Sequence, residues 1–346
     1  MKTSIWAGLR PYAEKVGQLH PRRWGGFVRD LAASTPRPWW VWLPKVPWCL
    51  MRGFNNHEFR FCGIHGKSWR TLRTFLSTIE NVKFIEAVNA EDQLPLLRDK
   101  GLFLQRFSHR LGREFLDIRT ATVSDLVAFV DRHPCFLAKA YNLAMGAGIE
   151  VFDEPIPATE IPALHTRLRE ESKYVVEEFL TQHPAVNEIY AASINSIRLY
   201  TFRPKRGEAQ LVFPGMMRFG SGGGRIDAQG ELTVLLDPQT GRCLAGAVTI
   251  AGQWFEQHPD SGVDFATMMI PGLPAAVNLV EAAARELPEL AYVGWDVAMT
   301  PEGPVLIEGN GAPVLSTLQL LIAKAHPEGH GCRELVRSLT AELATE

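Results

Sequence analysis

The chain has 346 residues, 46% of them hydrophobic and 21% charged, which is enough apolar material for about two domains and too much for a disordered chain. Its longest strongly apolar stretches, such as Trp39-Trp40-Val41-Trp42-Leu43, which stops at Pro44 and Lys45, fall far short of the ~20 residues that cross a bilayer, and the first ten residues carry no apolar leader core. Five widely spaced cysteines (Cys49, Cys62, Cys135, Cys243, Cys332) without a CxxC leave out a disulfide framework, so a cytoplasmic, reducing location is the expectation.

The formal charge of -2 conceals an asymmetry. Residues 1–73 hold 13 Lys+Arg against 3 Asp+Glu, or +10, which leaves 23 against 35, or -12, for the rest. Seven of the nine Trp (Trp6, Trp24, Trp39, Trp40, Trp42, Trp48, Trp69) fall in that first segment. A basic, Trp-rich arm suits a peripheral membrane or protein partner, or a phosphorylated substrate, through long-range attraction and amphipathic rings. It equally suits an arm that wraps the acidic body and buries its indoles there.

In chain order, residues 1–80 read as irregular, and regular patterning starts near residue 82. The pattern predicts a strand over 82–88, one or two helices over 92–111, and a helix opening at Ser124-Asp125 and running to Arg132. A strand over 135–140 follows, then a loop with Gly146 and Gly148, a strand over 149–152, a helix near 160–171, and a strand over 174–176 that runs into Glu177-Glu178-Phe179-Leu180. The remainder is strand-rich, at 196–202, 210–217, 232–236, 244–250, 292–299 and 305–308, with helices over 274–287, 315–325 and 332–343. The sum is a mixed α+β chain with a junction close to residue 180. Its expected division is a Trp-rich leading segment over 1–90, a small subdomain over 91–180 and a large subdomain over 181–346.

The most informative stretch is residues 292–310, two apolar runs separated by Pro301-Glu302-Gly303. Read as a three-residue loop with Gly303 left-handed, it sets Asp296 opposite Glu308 and Gly294 opposite Asn310. Side chains alternate along a strand, so Asp296, Glu308 and Asn310 share one face while Trp295, Val297, Val305 and Ile307 share the other. Like charges directly opposite are destabilising, so the pair asks for a cation. Two carboxylates, an amide oxygen and phosphate oxygens are how Mg2+ is normally held beside a nucleotide.

Upstream features point the same way. Lys139 sits in the apolar strand Cys135-Phe-Leu-Ala-Lys-Ala140, where an ammonium is costly without a nearby anion. Gly146-Ala-Gly148 then offers backbone N–H groups that approach phosphates closely. Glu177, Glu178, Phe179 and Leu180 end a strand at the junction, where backbone groups read an adenine edge and Phe179 or Leu180 covers its face. Three other patterns carry less. Gly63-Ile-His-Gly66-Lys67-Ser68 has Phe61 where a phosphate-binding loop needs glycine, and Cys49, His57, Cys62 and His65 match no zinc module. His183, before Pro184, reads as a turn residue.

The order of these features resembles the ATP-grasp superfamily, and most of all its sugar-transfer-associated members. The likeness runs over about residues 90–325, through Lys100 in Asp99-Lys100-Gly-Leu-Phe103, Lys139 with its glycine loop, Glu177 to Leu180, Gln182-His183-Pro184, Asn195-Ser-Ile-Arg198, and Asp296 with Glu308-Gly-Asn310. It implies an ATP-grasp fold of two α+β subdomains clasping ATP. Lys100, Lys139, Gly146 and Gly148 would meet phosphates, Glu177, Glu178, Phe179 and Leu180 the adenine, and Asp296, Glu308 and Asn310 one or two Mg2+. Arg198, Arg218 and Asn195 stand as catalytic candidates, the arginines facing an acceptor carboxylate or the moving phosphate. The likeness further implies small-molecule carboxylate and amine substrates and no nucleic-acid partner. Asp227-Ala228 replaces an expected Asp-Asn pair, and Ala140 replaces a common Pro. The implied activity is an ADP-forming carboxylate–amine or thiol ligase; a kinase and a non-catalytic nucleotide-binding module are the alternatives.

Overall fold

The computed structural model describes residues 28, 38–141, 148–224, 231–326 and 328–344. The expectations for Trp6, Trp24, Gly146 and Asp227-Ala228 fall outside them. Short helices α1 (Trp39–Trp42), α2 (Lys45–Arg52), α3 (Asn56–Phe61) and α4 (Trp69–Leu72) lead to α5 (Thr78–Val88), so the described residues 38–80 are mostly helical rather than irregular. The strand predicted over 82–88 is the end of α5. Ser77 accepts from Glu80 N and Glu80 accepts from Ser77 N, both at 3.2 Å, a reciprocal cap that commits the following residues to a helix.

Helices α6 (Leu94–Arg98) and α7 (Lys100–Arg106) follow, then β1 (Phe115–Asp117), α8 (Val123–Arg132), β2 (Phe136–Lys139), β3 (Ile149–Phe152), α9 (Ile161–Glu170) and β4 (Val175–Glu178). These four strands form an antiparallel sheet in the order β1-β4-β2-β3. Leu126, Phe129 and Val130 of α8 and Ile161, Leu164 and Leu168 of α9 pack on one side of it, leaving the other face for chemistry.

After α10 (Pro184–Asn187) comes the large sheet. It comprises β5 (Ile197–Phe202), β6 (Gln210–Leu211), β7 (Gly215–Phe219), β8 (Leu232–Leu236), β9 (Ala247–Thr249) and β10 (Trp254–Phe255). Beyond α11 (Leu273–Arg285) it is completed by β11 (Tyr292–Thr300) and β12 (Gly303–Asn310). The path is β10-β9-β8-β7-β5-β11-β12, with β6 also on β5. The single strand expected over 210–217 is broken, since Pro214 has no N–H for a ladder. Helices α12 (Ser316–Ala325) and α13 (Arg333–Ala344) close the chain.

Alternation along the large sheet gives it two cores. Ile197, Leu199, Val293, Trp295 and Val297 face α11 and the α6–α7 pair, while Tyr200, Phe202 and Tyr292 face the N-terminal helices and α12. The N-terminal indoles are divided: Trp42 is fully buried and Trp48 stacks on Phe54, whereas Trp40 and Trp69 are exposed. Among the described residues no helix is long and apolar enough to cross a membrane.

Candidate active site

The β11–β12 hairpin pairs Asp296 with Glu308 and Gly294 with Asn310, the register expected from sequence, but by a different route. Its turn is shorter than expected: Thr300 pairs with Gly303, so Pro301 and Glu302 alone make the loop. The register then shifts by one between Asp296 and Val297, a bulge that restores the acid pair. One consequence corrects the expected faces. Leu306, fully buried, joins Trp295 and Val297 in the core, while Ile307 lines a cavity beside Glu308.

Asp296 lies on the next-to-edge strand, between Arg198 on β5 and Glu308 on β12. Arg198 grips it with two hydrogen bonds, from Nε to Oδ1 and from Nη2 to Oδ2 at 2.7 Å, and Arg218 Nη2 reaches Oδ1 at 2.7 Å. Burial alone would raise the Asp296 carboxyl; Arg198 and Arg218 reverse that and hold it well below the usual carboxylate range. Glu308 moves the opposite way, pushed up by burial and by the Asp296 charge, with Lys100 opposing. The two carboxyls are register partners on neighbouring strands, and burial with their mutual repulsion disfavours ionising both. The donors are all oxygens, with Asn310 Oδ1 accepting from Ala312 N at 3.0 Å and keeping a second lone pair, so the set fits a hard divalent ion completed by phosphate oxygens and water.

A second buried acid faces this one from the small sheet. Glu177 on β4 lies diagonally across from Lys139 on β2, and Lys139 Nζ sits 3.1 Å from Glu177 Oε1. Arg113, which the sequence reading missed, donates from Nε to Glu177 Oε2 at 2.5 Å and from Nη1 to Leu306 O at 2.7 Å. It therefore ties the small sheet to the bulged strand. Burial pushes the Glu177 carboxyl up, and the Arg113 and Lys139 cations more than reverse it, holding it at about 2. Nothing local marks Arg113, because its partners lie 64 and 193 residues away in sequence.

Lys100, Lys139, Glu177 and Glu308 all line one cavity of about 340 Å3, part of it open to solvent, with Leu97, Phe103, Leu104 and Ile307 as its apolar wall. Four residues singled out from sequence thus converge from α7, β2, β4 and β12. Others stand elsewhere. Glu178 accepts from Glu114 N at 2.9 Å, on the far side of β4, and Phe179 and Leu180 are half-buried just beyond the strand. Gly148, at φ +73°, closes the β2–β3 connection, with its carbonyl accepting from Ala140 N at 3.1 Å. The Asn195 side chain is buried and bonded to Gln182, Tyr190 O, Ser193 O and Gly220 N, which shapes the loop beyond Arg218. His183 caps α10 by accepting from Ala185 N at 3.1 Å, the turn role expected of it. Among the described residues no group of three or more His, Cys, Asp or Glu is arranged to hold a metal, so Cys49, His57, Cys62 and His65 make no zinc cage.

A family model for sugar-transfer associated ATP-grasp proteins matches residues 80–326. The chain belongs to that family. A comparison with curated proteins finds no match. Among solved structures the chain is similar to the biotin carboxylase domain of a Hydrogenobacter thermophilus 2-oxoglutarate carboxylase in complex with MgADP, at 12% identity and a TM-score of 0.46, covering 75% of this chain and 48% of that one. It is also similar to D-alanyl-alanine synthetase A from Vibrio cholerae (10%, TM-score 0.41, 72% and 65%) and to the ATP-grasp ligase PsnB (12%, TM-score 0.41, 74% and 64%). The ATP-grasp chain described here spans about half to two thirds of the length of each.

Proposed function

We propose that this ATP-grasp protein is an ADP-forming ligase that joins a small-molecule carboxylate to an amine or thiol. The observation that carries the reading is the single cavity in which Lys100, Lys139, Glu177 and Glu308 meet between the two sheets. Two ammonium groups there offset a triphosphate, and the apolar wall beside Ile307 suits a nucleobase. Asp296, Glu308 and Asn310 would hold Mg2+, which supplies Lewis-acid neutralisation of phosphate charge when bound.

The acceptor carboxylate attacks the γ-phosphorus, the bond to ADP breaks, and the second substrate then displaces phosphate from the acyl carbon with loss of its proton to solvent. Phosphoryl transfer needs positioning and electrostatics more than a protein nucleophile. Arg198 and Arg218, already aimed at the acid pair, would receive the acceptor carboxylate or the acyl phosphate. Asn195 holds the loop that carries the chain past Arg218, so we assign it a positioning role.

Incubation with ATP, Mg2+ and pools of carboxylic acids and amines should release ADP and free phosphate. AMP with pyrophosphate would defeat the reading, and phosphate retained on the acceptor would make the protein a kinase.

A further inference from the structure

Lys100 is the first residue of α7, so where its ammonium reaches depends on where that helix starts. Asp99 caps the helix by accepting from Leu102 N at 3.1 Å. Lys100 N donates at 3.0 Å to the carbonyl of Tyr141, two residues past Lys139. Gly101 has no side chain, and a Cβ there would meet Asp117 Oδ2 at 2.5 Å and collide with Arg119 Nη2. Both chain neighbours of Lys100 therefore lie against one guanidinium.

Arg119 follows β1 by two residues and holds two acids in its fork. Nη1 donates to Asp99 Oδ2 at 2.5 Å and Nη2 to Asp99 Oδ1 at 2.9 Å. On another edge, Nε donates to Asp117 Oδ1 at 2.9 Å and Nη2 to Asp117 Oδ2 at 2.6 Å. Its face lies over the rings of Tyr174, at 5.5 Å, and Tyr141, at 6.0 Å, which stack on each other at 5.1 Å. A planar guanidinium grips two carboxylates edge-on and still covers aromatic rings with its face, which a compact ammonium does not.

The cavity between the sheets is lined by Lys100 and Lys139 but not by Asp99, Asp117 or Arg119. Any effect of Arg119 on a molecule bound there passes through what it holds: the start of α7 with Lys100, and Tyr141 at the end of the strand that carries Lys139. The Lys100 ammonium acts across the cavity on Glu308. Asp99, one residue away, is the nearest acid in sequence that could draw that ammonium back, and Arg119 occupies both of its oxygens.

We propose that Arg119 is a positioning residue for nucleotide binding: by gripping Asp99 and backing Gly101 it fixes the start of α7, so that Lys100 meets the phosphates together with Lys139. The assignment rests on the nucleotide reading of the cavity and extends it to a side chain outside the cavity wall.

Calorimetry on the full chain in Mg2+ buffer, with ADP and adenosine as probes, tests this. Arg119→Met keeps an unbranched side chain and removes the fork. It should weaken ADP by about fivefold or more and leave adenosine, which has no phosphates, within about twofold. Lys100→Met should weaken ADP at least as much. The double variant should lie within about twofold of Lys100→Met, because a group that acts through the lysine then has nothing left to act on. Asp99→Ser keeps a capping oxygen for Leu102 N and loses the Arg119 grip, so it should repeat the Arg119→Met pattern, and it carries the comparison if Arg119→Met does not fold. Where adenosine binds too weakly to compare, the cycle with ADP decides. Unchanged ADP affinity, equal losses for the two probes, or losses that multiply in the double variant would make Arg119 an ordinary brace of the fold and overturn the assignment. A parent chain that takes up neither probe would defeat the nucleotide reading itself, and the assignment with it.

Discussion

Two buried acids look across one cavity, and they have been given opposite electrostatic settings. Glu177 on the small sheet has two cations in contact, Arg113 and Lys139, and is held ionised at about 2. Glu308 on the large sheet faces another acid whose arginines are already engaged, and burial with the Asp296 charge pushes its carboxyl up. The first is a closed ion network that joins two sheets; the second is a pair of acids whose repulsion a cation would relieve. Both motifs are acids at strand ends in the sequence, so residue type alone does not separate structural from exchangeable charge. The difference comes from which cations the fold delivers.

The sharpest break of this comparison is to neutralise each acid in turn. Glu308→Gln removes a proposed metal ligand, and because a bound metal is worth several kcal/mol of charge stabilisation, ATP turnover should fall by more than about a hundredfold. Its thermal midpoint in metal-free buffer should not fall, since glutamine removes a charge that burial and Asp296 both disfavour. An unchanged turnover at saturating Mg2+ would remove Glu308 from the metal site.

Glu177→Gln and Arg113→Met should show the reverse balance. Each leaves part of a buried ion network uncompensated, at a cost of about 3–5 kcal/mol in urea unfolding. Arg113→Met also frees the carbonyl of Leu306 beside the bulge, so MgADP affinity should drop along with stability. If both variants were as stable as the parent, the two acids would not differ as described.

Acid titration separates the pair by sign. The folded Glu177 carboxyl is lowered from 4.5 to about 2, so the unfolded chain binds more protons between those values. Its stabilisation, about 3 kcal/mol from the shift, is present above pH 4.5 and is lost as pH falls toward 2. Glu308 is raised, so its contribution runs the other way: full at low pH and lost as pH rises through its folded value. Urea unfolding from pH 2 to 5 should therefore be shallower in Glu177→Gln than in the parent, and an identical slope would contradict the assignment.

Much of this was readable in the chain. The alternation through β5, β8 and β11 exposed the large sheet, and the spacing of Asp296, Glu308 and Asn310 located the hairpin face. The agreement in register was partly a cancellation, because a turn one residue shorter than expected is compensated by the bulge. Bulges leave little trace in hydrophobic alternation, which is why Leu306 and Ile307 exchanged faces. The 82–88 segment shows the opposite failure: a short apolar cluster fits either period, and Ser77 with Glu80 held the deciding signal just outside it. Arg113 was invisible for another reason, since its partners are brought close only by the tertiary fold.

Gly294 gives the finest test of how tightly the large-sheet acid is set. It pairs with Asn310 on one side and Tyr200 on the other, and its missing side chain lets Pro313 lie against the sheet beside Arg198. A methyl group at that position meets Pro313 Cβ at 2.9 Å, closer than carbon atoms pack, and Arg198 Cδ at 3.3 Å. Strain of this kind costs about 1–3 kcal/mol, smaller than the loss of a buried ion pair. Gly294→Ala should therefore fold with a modestly lower midpoint. Because one of the crowded neighbours is the arginine that holds Asp296, its turnover should fall further than its stability does, by about tenfold. A variant that lost stability alone, with turnover per folded molecule intact, would show that Arg198 tolerates displacement and that the setting of Asp296 is less exacting than that of Glu177.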